Sequence, residues 1–82
     1  MAKTFHLTVA RVGENLFDGE AVAVHLPGID GAFTVLASHE AFVSELKEGE
    51  ARIETVDGTV QKIPIHFGGI AEVSSNQATV LL

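Results

Sequence analysis

The chain has 82 residues and contains no cysteine, no tryptophan and no tyrosine. The missing thiols exclude a disulfide framework, a thiolate metal site and a cysteine nucleophile. The missing indoles and phenols leave five scattered phenylalanines, which make no stacking platform for nucleic-acid bases. Basic residues are also scarce: five Lys and Arg stand against eleven Asp and Glu, a formal net charge of −6. Phosphate backbones and anionic lipid would repel such a chain, so nucleic acid and unaided membrane-surface binding are disfavoured. No apolar run approaches the roughly 18 residues that cross a bilayer. Met1-Ala2-Lys3-Thr4-Phe5-His6 alternates rather than forming an apolar signal core, and is read as no secretion signal. Helical periodicity extends over no segment of about 12 residues, and no repeat, linker or low-complexity stretch divides the chain. The expectation is one domain over 1–82.

What is present is alternation. Phe5, Leu7 and Val9 alternate with His6 and Thr8; Val22, Val24 and Leu26 with Ala23 and His25. Ile63, Ile65 and Phe67 alternate with Lys62, Pro64 and His66; Ala78, Val80 and Leu82 with Thr79 and Leu81. A period of two marks strands with one face on a core and the other nearer water. Gly13-Glu14-Asn15, Asp18-Gly19, Pro27-Gly28, Asp30-Gly31, Lys47-Glu48-Gly49, Asp57-Gly58, Gly68-Gly69 and Ser74-Ser75-Asn76 read as turns or bends. Their recurrence, about every 8 to 12 residues, is that of an all-β sandwich or barrel. Residues 38–46 read as a short strand with an irregular lead-in. Pro64 cannot donate a ladder hydrogen bond, which places its strand at an edge or a bulge. Gly68-Gly69 predicts a bend where the chain passes from one sheet to the other.

The most distinctive segment runs Leu26-Pro27-Gly28-Ile29-Asp30-Gly31-Ala32-Phe33 and on to His39. Pro27 presets its backbone, and Gly28 and Gly31 tolerate positive φ, so the turn is conformationally specified and can present its tip to a partner. No catalytic, cofactor or metal constellation stands beside it. The four histidines, His6, His25, His39 and His66, lack the three-to-five spacing of a local metal clasp. Ser38-His39-Glu40 holds a hydroxyl, an imidazole and a carboxylate, but adjacent residues of an extended chain point to opposite faces. Gly28-Ile29-Asp30-Gly31 lacks the lysine and the following helix of a phosphate loop.

Taken in order, several segments resemble the N-terminal β-sandwich domain of the epsilon subunit of bacterial rotary ATP synthases (called delta in mitochondria). They are Phe5-His6-Leu7-Thr8-Val9, Leu16-Phe17-Asp18-Gly19-Glu20-Ala21, Leu26-Pro27-Gly28-Ile29-Asp30-Gly31-Ala32-Phe33, Val35-Leu36, His39, Leu46-Lys47-Glu48-Gly49, Arg52-Ile53, Gly68-Gly69-Ile70-Ala71-Glu72-Val73 and Thr79-Val80-Leu81. Each is weak alone; their joint order along the chain is specific. The resemblance implies a sandwich of about ten short strands in two sheets, in keeping with the turn spacing. It implies a non-catalytic part of the central stalk, gripping the gamma subunit with one surface and the membrane-embedded c-ring with another. The ring contact would fall on Ile29, Asp30, Gly31 and Ala32, and the gamma contact on His39, Glu40 and Phe42. It further implies a place at the cytoplasmic face of the bacterial inner membrane, with no membrane insertion, no cofactor and no small-molecule substrate of its own.

Some features depart from the family pattern. Many relatives carry Pro-Gly before the histidine and Ala-Pro after it, where this chain has Ala37-Ser38 and Glu40-Ala41. Many carry an acid where Ala32 stands, leaving Asp30 to make any charged ring contact. The family's C-terminal two-helix hairpin has no counterpart before Leu82, so the expectation is a short form without the inhibitory arm. Two other function classes remain open. One is a stand-alone sandwich that binds a peptide or small ligand. The other is a swinging-arm carrier, for which Lys47 is the one plausible attachment point, in flanks unlike the carrier motif.

Overall fold

A computed structural model describes residues 3–38 and 40–82. Among these it contains no helix and nine strands: β1 (Phe5–Arg11), β2 (Glu14–Ala21), β3 (Ala23–Leu26), β4 (Phe33–Leu36), β5 (Phe42–Leu46), β6 (Gly49–Glu54), β7 (Val60–Ile65), β8 (Gly69–Ser74) and β9 (Gln77–Leu81). They form two sheets, one of five strands in the order β2-β1-β9-β8-β5 and one of four in the order β4-β3-β6-β7. The β-sandwich is as expected, with nine described strands in place of about ten.

The alternation builds the core. Phe5, Leu7 and Val9 of β1, Ala71 and Val73 of β8, and Ala78 and Val80 of β9 point inward from the five-stranded sheet. Val24 and Leu26, Val35, Ala51 and Ile53, and Ile63 and Ile65 meet them from the other. Full burial of each large side chain contributes roughly 1.5–3 kcal/mol. First and last strands pair in parallel, Leu7 opposite Ala78 and Val9 opposite Val80, which closes the sheet across the whole chain length.

Pro64 sits on β7, an edge strand, so its missing N–H costs the ladder nothing on the open side. Between β7 and β8 the chain changes sheet at Gly68 (φ +84°), where a Cβ would stand 2.6 Å from the carbonyl oxygen of Leu46. That bend also ends the period of two at Ile65: Phe67, expected to point inward, is fully exposed. Ala23, expected to face outward, is buried, and Val22 is half-buried in the link where the chain passes from one sheet to the other. Nor is Asp18-Gly19 a turn; it lies within β2. Asp18 is held across the strands by His6 (Nε2 to Oδ1, 2.6 Å), and the Phe17 ring lies beside Gly19. The register of β1 and β2 slips between Val9 opposite Phe17 and Ala10 opposite Asn15, leaving Leu16 as the extra residue of a bulge.

Candidate functional site

The turn after β3 is held by its own backbone and by a neighbour. Gly28 N–H donates to Leu26 C=O (3.1 Å) and Gly31 N–H to Gly28 C=O (3.0 Å). Gly31 adopts φ +135°, a region that side chains disfavour. At Gly28 the need is for space: a Cβ would stand 2.5 Å from Gly31 O and 2.9 Å from the Phe33 ring. The turn is then stapled to β5. Ile29 N–H donates to Glu45 C=O and Lys47 N–H to Pro27 C=O, each at 2.9 Å, around a bridge between Gly28 and Leu46. A loop stemming from the four-stranded sheet is thus tied to the edge of the five-stranded one. It presents Ile29, Asp30, Gly31 and Ala32, all exposed.

Of the second predicted group, Glu40 is exposed, Phe42 is half-buried, and His39 lies outside the described residues. Phe42 meets Phe33 edge to face, with centroids 5.2 Å apart. Phe33 therefore touches the stapled turn through Gly28 and the head of β5 through Phe42, bringing the two predicted groups together.

Sequence reasoning did not anticipate the outer face of the five-stranded sheet. Leu81 lies opposite Ala10 and Ile70, and Val43 stands one row away, opposite Glu72. Val43 is 63% exposed, Leu81 53% and Ile70 40%. The signal was present: these are the apolar residues left over once the inward positions of β5, β8 and β9 are assigned. Polar groups cover the rest of this face, with His6 between Asp18 and Glu20 (2.6 and 3.5 Å).

The outer face of the four-stranded sheet is tied by His25. Its Nδ1 lies 2.8 Å from Thr34 Oγ1 and its Nε2 2.5 Å from Glu54 Oε2, linking β3 to β4 and β6. The line of hydroxyl, imidazole and carboxylate lies on a sheet surface and acts as a cross-strand tie. His6 and His25 stand on different sheets, and among the described residues no His, Asp and Glu cluster suits a metal ion.

Comparison with known proteins adds the following. Residues 4–82 match the family model "ATP synthase, Delta/Epsilon chain, beta-sandwich domain". The ATP synthase epsilon chain of Delftia acidovorans is 38% identical over 78 residues, and that of Nitrobacter winogradskyi 42% over 78. Each alignment covers 95% of this chain and 56% of the relative, so the chain spans about half the length of the curated relatives it matches. Among solved structures, a chain of the Euglena gracilis mitochondrial ATP synthase (OSCP/F1/c-ring) superposes with a TM-score of 0.88 at 26% identity, covering 95% of this chain and 49% of that one. A chain of the Tetrahymena thermophila mitochondrial ATP synthase central stalk and c-ring gives 0.76 at 13% identity, a likeness of fold, covering 96% and 63%.

Proposed function

This chain belongs to the delta/epsilon β-sandwich family of ATP synthase, and on that premise we propose that it is a non-catalytic rotor part coupling the gamma subunit to the c-ring. The supporting observation is the pairing of two exposed surfaces on one braced body. One is the stapled turn at Ile29, Asp30, Gly31 and Ala32, the ring contact. The other is the apolar patch of Val43, Ile70 and Leu81 on the outer face of the five-stranded sheet, which we take as the gamma contact beside the expected residues His39, Glu40 and Phe42.

The task on this reading is mechanical. A coupling piece has to transmit torque without shearing, and two close-packed sheets make a stiff body. Each contact needs on the order of 800 Å² per partner to be stable. Exposed ion pairs contribute only about 0–1 kcal/mol, so the apolar patch supplies most of the affinity and Asp30 supplies register. The net charge of −6 disfavours direct adhesion to an anionic membrane. Residence at the cytoplasmic face of the bacterial inner membrane then comes through the protein partners.

Binding of the purified chain to gamma tests this. Val43→Ser combined with Leu81→Ser should lower the affinity at least tenfold, since two apolar anchors worth about 1 kcal/mol or more each are lost. Both side chains are exposed, so unfolding should be little changed. Undiminished binding by the double variant would remove the gamma surface from this face.

A further inference from the structure

Ser38, the residue before His39, is held in the left-handed region at φ +60°, which a serine adopts only at a cost. Its backbone N–H donates to Oδ1 of Asn76, 2.7 Å away and 38 positions along the chain. The same amide donates from Nδ2 to the carbonyl oxygen of Thr4 (2.9 Å), and the backbone carbonyl of Asn76 accepts from His6 N–H (3.2 Å). One side chain therefore ties the link after β4 to the entry of β1, from the turn between β8 and β9. Only one orientation of the amide satisfies both bonds, because a flip would set donor against donor and acceptor against acceptor. Asn76 is itself at φ +60°, a conformation that asparagine tolerates better than most residues.

We infer that Asn76 is a positioning residue for the gamma contact: its amide stabilises the left-handed Ser38 and so fixes the direction in which the chain leaves β4. The part concerning gamma rests on the reading above; the part concerning Ser38 does not. Ser38 lies between β4 and β5, outside both strands, and the acceptor of its N–H is the side chain of Asn76.

Two measurements on the full chain decide this. Asn76→Gly keeps the left-handed backbone and the bond from His6 N–H, and deletes only the amide. It should raise hydrogen exchange at the Ser38 amide about five- to tenfold, the size expected for one lost hydrogen bond. It should weaken gamma binding by about fivefold on the same basis. In a Ser38→Gly background, where the left-handed backbone is free of strain, the same change should cost less than about twofold in gamma affinity. A merely structural asparagine would lower stability equally in both backgrounds and leave the affinity unchanged. Unchanged exchange at Ser38 in Asn76→Gly overturns the inference. So does undiminished gamma binding by that variant where the unaltered chain binds. If the unaltered chain does not bind gamma at all, the functional reading falls, and the exchange measurement still decides the role of Asn76.

Discussion

The ring of Phe33 stands edge-on to that of Phe42, with the planes 77° apart, and joins an edge strand of one sheet, β4, to an edge strand of the other, β5. Edge-to-face pairs of this kind contribute about 0.5–1.5 kcal/mol beyond their buried area. Phe42→Ala should therefore act twice, lowering unfolding stability by about 2 kcal/mol and weakening gamma binding. Phe42→Leu keeps most of the volume and should recover most of the stability. Urea unfolding of both variants beside gamma titrations separates the effects. Wild-type stability in Phe42→Ala would show that the ring pair does not brace the seam.

At the other end of the same contact, Gly28→Ala should distort the stapled turn. The added carbon meets a backbone oxygen at 2.5 Å, and backbone cannot swing aside as a flexible side chain can. A loss of about 1–3 kcal/mol is expected, as for other overpacked sites. Faster amide exchange at Ile29 and Lys47, whose N–H groups form the staple, should accompany it. A variant with unchanged exchange at both would show that the staple does not depend on Gly28.

Asp30→Asn should have a far smaller effect than either. The carboxylate is exposed at the tip, and exposed charge pairs contribute about 0–1 kcal/mol. ATP synthesis by the assembled synthase carrying this variant should stay within roughly fivefold of wild type, a range set by the same energy. A near-complete loss of coupled synthesis would mean that Asp30 carries the ring contact alone.

The sheets were legible because burial imposes the period of two on β1, β9 and the end of β7, and because Pro64 and Gly68 can occupy few places in a sandwich. Legibility failed where a distant partner overrides local preference. Asp18-Gly19 has turn chemistry, yet His6 and the Phe17 ring keep it in a strand. Phe67 continues an alternating pattern that the crossing at Gly68 cuts short. The parallel pairing of β1 with β9 leaves no local mark in either segment. The stapled turn was visible in its proline and glycines, whereas its fastening to β5 was not, being made entirely by backbone groups. Asn76 showed only as part of a turn, since nothing in Ser74-Ser75-Asn76 reveals that its amide reaches Ser38 and Thr4.

The turn between β6 and β7 gives a pH-dependent prediction. Asp57 Oδ1 accepts from the Thr55 hydroxyl (2.6 Å) and from Thr59 N–H (3.0 Å). These bonds, the Thr55 hydroxyl first, favour the charged carboxylate and lower its pKa from 3.8 to about 2. A carboxylate whose folded pKa is depressed contributes stability above its unfolded value and loses it as pH falls through the folded one. Asp57→Asn keeps an acceptor but no charge. The wild type should be the more stable of the two at neutral pH, by a margin constant down to about pH 4. The margin should shrink below that pH, as the carboxylate loses its charge first in the unfolded chain and then, near pH 2, in the folded one. Urea unfolding of the pair across this range measures it directly. A gap that stays constant to pH 2 would mean that the turn gains nothing from the ionised form of Asp57.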